Sequence, residues 1–238
     1  MLVACGRFGF EEPAPSSDSP LGDSASNDGP AGDGPVGGID AAIDAPITGP
    51  ETTTFGETPT ANVTNVTADA HMSSEGGSTT NNYGASTSLD CEGTEKRALL
   101  RFDLSSLPPG TPVTGVQLHL QFTGGAGSTV TIRPVLEAWT EGTQSGTTGV
   151  VNHVQRTIGT SWTTAGAGSP GSSGASIMSF SASSGANTVA LPAATVQSWV
   201  DTPSTNFGVL IACSGDSTIS SSENATTSSR PQLDVTHQ

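Results

Sequence analysis

The chain has 238 residues, 33% hydrophobic and only 12% charged, with 7 Lys and Arg against 22 Asp and Glu for a net charge of −15; 65 residues are Ser or Thr and 30 are Gly. Helical proteins fill their surfaces with Glu, Lys, Ala and Leu, so this composition argues against a helical protein and for an all-β one. So few cations argue against a nucleic-acid partner, which needs a Lys/Arg stripe to neutralise phosphates, and no apolar run reaches the roughly 18 to 20 residues of a membrane-spanning segment.

At the N-terminus, Leu2-Val3-Ala4-Cys5 followed by Gly6 resembles a bacterial lipobox, in which small residues precede a Cys that becomes lipid-modified. The charged and apolar regions that normally come before it are missing, which fits either a start codon assigned too late or a chance match. The first reading makes Cys5 the lipidation site of an extracellular, outer-membrane-anchored lipoprotein; the second leaves Cys5 a buried or free thiol. Residues 11–57 then hold 10 of the 22 acids and no Lys or Arg, with seven prolines between Pro13 and Pro50. Nothing there has a period of 2 or 3.6, and its apolar surface is too small to offset the entropy of ordering. Residues 1–57 therefore read as a disordered, self-repelling tether and residues 58–238 as one folded domain.

Within that domain the sequence predicts short strands at Val63–Met72 and Ser86–Cys91 and a clear one at Ala98–Leu104, where Leu100, Phe102 and Leu104 face inward and Arg101 and Asp103 outward. The strongest alternation is Val116–Phe122, with Val116, Leu118, Leu120 and Phe122 on one face and Gln117, His119 and Gln121 on the other, the mark of a half-buried antiparallel strand. Further strands are expected at Thr129–Val135, Ile177–Phe180, Thr188–Leu191, Phe207–Cys213, Ile219–Glu223 and Gln232–Val235. Phe207–Cys213 is apolar on both faces and belongs at the centre of a sheet. Only Pro192–Val200 reads as a helix, with Val196, Trp199 and Val200 on one stripe. The expected fold is all-β: a two-sheet antiparallel jelly-roll sandwich with one short helix, behind the disordered tether.

Cys91 and Cys213 are the cysteines left once Cys5 is assigned to lipid. Outside the cytoplasm they can form one disulfide; the other reading is two buried thiols on separate strands. Neither has a second Cys or His at zinc spacing.

Several short motifs fall in the order of a known family. They are Asp69-Ala70-His71, Asn82-Tyr83-Gly84, Arg97 to Leu104, Trp139-Thr140-Glu141, Val196 to Val200 with Asn206-Phe207-Gly208, and Ser222-Glu223 with Arg230 to Leu233. Over about residues 62–237 the chain resembles a DNRLRE domain, a pattern shared with carbohydrate-binding module family 96 and disaggregatase-related repeats. It departs from that pattern where Ser220 and Ser221 stand before the closing Ser-Glu and in the long Gly/Ser-rich loop from Gly142 to Ser176. The resemblance implies a β-jelly roll that binds polysaccharide as a non-catalytic, secreted module, with acidic polysaccharides of the alginate kind among the family's ligands.

An anionic glycan needs clustered cations, and Lys96, Arg97 and Arg101 form the densest group; Arg101 can instead pair with Asp103 or with a carboxylate on an adjacent strand. A neutral glycan needs aromatic platforms. Trp139 and Trp162 flank the long loop and can line a shallow site or anchor the loop in the core, whereas Trp199 lies on the helical stripe. Asp69, Asn82 and Asp103, near strand ends, are the candidate ligands for a structural calcium ion, with ordinary turn capping as the alternative. No His-Glu-x-x-His or Gly-x-Ser-x-Gly motif occurs, and Glu141 and Glu223 read as hydrogen-bond anchors before they read as glycosidase carboxylates, so no enzymatic activity is expected. Two functions stay open. One is a polysaccharide-binding module, secreted or held to a membrane by a lipid anchor; the other is a structural or adhesive surface protein with protein partners.

Overall fold

The structure, a computed structural model, describes residues 49–56 and 67–238. Cys5 and residues 1–48 of the expected tether lie outside that range. In chain order the elements are β1 (Glu51–Phe55), β2 (Thr67–Ser73), β3 (Asn81–Asn82), β4 (Ser88–Cys91), β5 (Lys96–Phe102), β6 (Val113–Gly124), β7 (Thr129–Pro134) and β8 (Thr147–Thr148). They continue with β9 (Gln155–Thr157), β10 (Thr160–Ser161), β11 (Met178–Ser181), β12 (Gly185–Ala190), α1 (Ala193–Asp201), β13 (Val209–Cys213), β14 (Ser217–Ser220) and β15 (Gln232–His237).

Two antiparallel sheets form the sandwich expected from the sequence. One runs β1-β15-β6-β14-β4, with β12 also paired to β6; the other runs β11-β7-β13-β5-β2. The long strand β6 is the spine of the first sheet because its alternation gives it one wholly apolar face: Val116, Leu118, Leu120 and Phe122 all enter the core between the sheets. From the opposite sheet Ala98, Leu100 and Phe102 of β5 and Val209, Ile211 and Cys213 of β13 meet them. As its two apolar faces require, β13 is the central strand of its sheet, and Leu210 points the other way into a second core. Val196, Trp199 and Val200 of α1 close one side of the main core.

Cys91 and Cys213 end strands in opposite sheets. Their Cα atoms lie 5.3 Å apart and the pair is disulfide-bonded, which ties the sheets together.

Beyond shifts of up to three residues at other strand ends among the described residues, two departures from the sequence reading bear on the domain boundary and the site. Glu51–Phe55, placed in the tether, is the edge strand β1, paired in register with β15 from Glu51 opposite His237 to Phe55 opposite Leu233. Its three Thr residues suit a strand whose partner can reward them, and Phe55 is fully buried in the main core. The strand expected at Ile219–Glu223 is Ser217–Ser220, and Ser221–Glu223 leave the sheet toward β2.

The outer face of the β11-to-β2 sheet is covered as well. The connection between β7 and β11, which carries β8, β9 and β10, lays Val135, Trp139, Val151, Trp162 and Ala167 over Ala68, Ala70 and Met72 of β2, Leu99 of β5 and Leu210 of β13. This second core positions the candidate site.

Candidate functional site

Several of the short motifs, scattered along the sequence, converge at the margin of the second core, whereas the stripe of Val196, Trp199 and Val200 and the side chain of Leu233 pack in the main core. Asn82 is a loop clamp: its amide donates to the Val151 carbonyl at 2.8 Å, while its Oδ1 accepts from the backbone N–H groups of Gln144 at 2.9 Å and Gly84 at 3.3 Å. A Cβ on Gly84 would collide with the backbone of Gly142, and one on Gly142 would collide with the Asn82 side chain, so both glycines are required by close approach. Tyr83 stacks on His71, with ring centroids 4.0 Å apart. Burial lowers the His71 pKa, against the opposing pull of Asp90.

Asn206 and Gly208 do the same work at the other end of the sheet. The Asn206 amide donates to the Phe102 carbonyl at 2.8 Å. Gly208, at φ 75°, lies so close to β5 that a Cβ there would fall 2.7 Å from the Arg101 Cβ. The Phe207 carbonyl between them accepts the Trp139 indole N–H at 2.8 Å.

Around these anchors stand three carboxylates. Asp69 of β2, Glu141 at the start of the long connection and Glu223 just after β14 each present an oxygen within 4.8 Å of the other two. Asp69 Oδ2 accepts the Ser222 backbone N–H at 2.7 Å, Glu141 Oε1 accepts the Asp69 backbone N–H at 2.6 Å, and Glu223 Oε1 accepts the Ser222 hydroxyl at 2.9 Å. Asp69 Oδ1 and Glu223 Oε2 are buried with no hydrogen-bond partner. Burial, and after it the negative charge of Glu223 and Glu141, holds the Asp69 carboxyl well above the usual carboxylate range, against the hydrogen bonds from Ser222.

The three cations expected to cluster do not form a shared anion site. Lys96 Nζ bridges Glu75 and Glu92 at 2.9 Å each, and both carboxylates raise its pKa. Arg97 is half-buried and donates to the Gly166 carbonyl at 3.0 Å. Arg101 lies 5.0 Å over the Trp139 ring and makes a long 3.4 Å hydrogen bond to the Trp139 carbonyl. Burial lowers its pKa, offset by Glu141 and Asp103, yet a guanidinium stays charged. The reason is geometric: side chains alternate across a strand, so Lys96 faces away from Arg97 and Arg101.

Trp139 and Trp162 take the loop-anchor role rather than that of sugar platforms. They are 3% and 5% exposed, and the Trp162 indole donates to the Asn152 carbonyl at 3.0 Å. The calcium set expected from the sequence is likewise divided. Asp69 belongs to the carboxylate cluster, but the Asn82 side chain is committed to its clamp. Asp103 lies three residues beyond Leu100, the register partner of Asp69, or about 10 Å along the strand, and its Oδ1 caps the Ser105 N–H at 2.9 Å. Glu141 and Glu223, read from the sequence as anchors, join Asp69 in the cluster; only their shared membership of the motif series signalled it.

Beside Arg101 an open cleft of about 300 Å³ is lined by Arg101, Asp103, Ser105 and Asn206, with Phe102 and Trp199 among its apolar members. It combines one cation, one carboxylate and a hydroxyl with apolar surface, a lining suited to a hydroxyl-rich ligand.

No curated protein matches the chain. Residues 59–149, which include Asp69, Asn82, Arg101, Trp139 and Glu141, match the family model of Carbohydrate-binding module family 96, so the chain carries a domain similar to those modules.

Proposed function

We propose that the protein is a non-catalytic polysaccharide-binding module of a secreted or lipid-anchored bacterial surface protein. The match of residues 59–149 to a carbohydrate-binding family carries this reading. The cleft beside Arg101 supports it, offering a charge-assisted donor next to the Asp103 carboxylate and the Ser105 hydroxyl. Because Lys96 and Arg97 are engaged elsewhere, Arg101 is the cation that meets a ligand there; a polysaccharide is then held mainly by hydrogen bonds, with a uronate contributing one ionic contact. The acidic, proline-rich stretch after Cys5 suits a spacer between a lipid anchor and this domain.

The test is retention of the full chain on immobilised neutral and uronic polysaccharides at low and high salt. Retention on at least one polymer is expected, weakened by Ser105→Trp, which fills the cleft, at an unchanged melting temperature. No reducing ends should be released. Failure of the unmutated chain to bind any polymer would refute the proposal and transfer its weight to a structural or adhesive role. Incorporation of labelled fatty acid, lost in Cys5→Ser, checks the anchor.

A further inference from the structure

We propose that Asp69, Glu141 and Glu223 bind one hard divalent cation, calcium by its preference for several protein oxygens, which pins three distant chain segments together. The cluster alone would be weak ground, since acidic groups often gather without an ion. The partnering pattern of the oxygens gives the independent reason. One oxygen of each carboxylate is fixed by a neighbouring donor: Asp69 Oδ2 by the Ser222 N–H, Glu141 Oε1 by the Asp69 N–H and Glu223 Oε1 by the Ser222 hydroxyl. These bonds set the rotamers and leave Asp69 Oδ1 and Glu223 Oε2 buried with no protein donor, Asp69 itself being 0% exposed. A buried carboxylate oxygen without a donor is strongly unfavourable unless a proton or a cation meets it.

Spacing and ligand type favour the cation. Calcium binds oxygens at 2.3–2.6 Å, so two ligands on opposite sides of one ion are at most about 5 Å apart, and the three carboxylates present oxygens within 4.8 Å of one another. Magnesium demands a near-ideal octahedron at 2.0–2.1 Å and gives up its waters reluctantly, so a set of three protein carboxylates suits calcium better. Arg101 faces Glu141 of this group and is itself engaged with Trp139. Waters and backbone carbonyls would complete the six to eight ligands calcium takes.

Topology says what the ion would do. Asp69 comes from the edge strand β2, Glu141 from the connection that covers the second core, and Glu223 from the segment leaving the opposite sheet. An ion there fixes the start of the long connection on the outer face of the sheet, and its test reads metal binding and stability directly, so this proposal and polysaccharide binding are tested separately. The other acidic group, Glu75, Glu92 and Glu95, is more exposed and already holds Lys96; it serves as the internal control.

The experiment strips the full chain with chelator, then titrates calcium while following the melting temperature and the heat of binding. The expected result is saturable stabilisation with one ion per chain. Glu223→Gln should lower calcium affinity at least about tenfold, and Glu92→Gln should leave it unchanged. Should Glu223→Gln fail to fold, terbium added to the stripped, unmutated chain decides: emission sensitised by tryptophan and displaced by calcium supports the site. A melting temperature indifferent to chelator and calcium, with no sensitised terbium emission, would overturn it and leave a shared proton between Asp69 and its neighbours. Loss of binding in Glu92→Gln but not in Glu223→Gln would overturn it equally.

Discussion

Reducing the Cys91–Cys213 disulfide should lower stability more than most single substitutions in this protein. The bond closes a loop of sequence separation 122 between opposite sheets. In the chain-entropy account a loop of that length restricts the unfolded chain by about 16 cal/mol/K, or about 5 kcal/mol at 25 °C. For a domain of this size each kcal/mol moves the melting temperature by about 2–4 °C, so the oxidised and reduced forms should melt about 10–20 °C apart. The native packing hardly changes, because both sulfurs stay inside the main core, with Cys91 0% and Cys213 3% exposed. Comparing the same chain with and without a phosphine reductant therefore isolates the cross-link. Differential scanning calorimetry, with a thiol titration in denaturant to confirm each state, measures it. Oxidised and reduced melts within 2 °C of each other would show that the unfolded chain is already confined or that the bond is absent in solution, and would refute the reasoning.

Phe55→Ala should destabilise the domain by about 3–5 kcal/mol in denaturant unfolding, since Phe55 is fully buried; a loss below about 1 kcal/mol would return residues 51–55 to the tether. Gly208→Ala should cost more than the roughly 1 kcal/mol of its left-handed backbone alone, because φ is 75° and the added Cβ meets Arg101 at 2.7 Å; chemical denaturation reads it, and a neutral result would contradict the close approach. Burial, then Arg97, lowers the His153 pKa below 6.5. Well above pH 6.5 the ring is neutral in folded and unfolded chains and its titration contributes nothing. Between that value and the lower folded one the unfolded chain binds more protons, so stability falls as pH falls. The melting-temperature difference between the unmutated chain and His153→Gln should accordingly shrink on acidification from pH 7.5 to 5; a constant difference would contradict the assignment.

Much of the sandwich was legible because strand patterns are local. The alternation in Val116–Phe122, the doubly apolar run ending at Cys213 and the stripe of Val196, Trp199 and Val200 each state which side is buried, and the structure buries those sides. The motif series also pointed to the right neighbourhood, since Asp69, Asn82, Trp139, Glu141, Gly208 and Glu223 meet around the second core. What their side chains do there depends on chain segments far away. β1 sits in an acidic, Thr-rich stretch that carries no strand pattern of its own, and β15, some 180 residues on, makes it a strand. Trp139 and Trp162 read as loop anchors ahead of sugar platforms, and it is the connection between β7 and β11, folding over the sheet, that buries them. Lys96, Arg97 and Arg101 are dense in sequence, yet alternation across a strand and nearby carboxylates and carbonyls divide them. The cluster of Asp69, Glu141 and Glu223 spans 154 residues of sequence. Sequence thus determined which strands exist and which faces are apolar, because those follow from nearest-neighbour chemistry. Tertiary structure alone decided which polar groups meet and which are left unpartnered, because that depends on where distant segments end up in space.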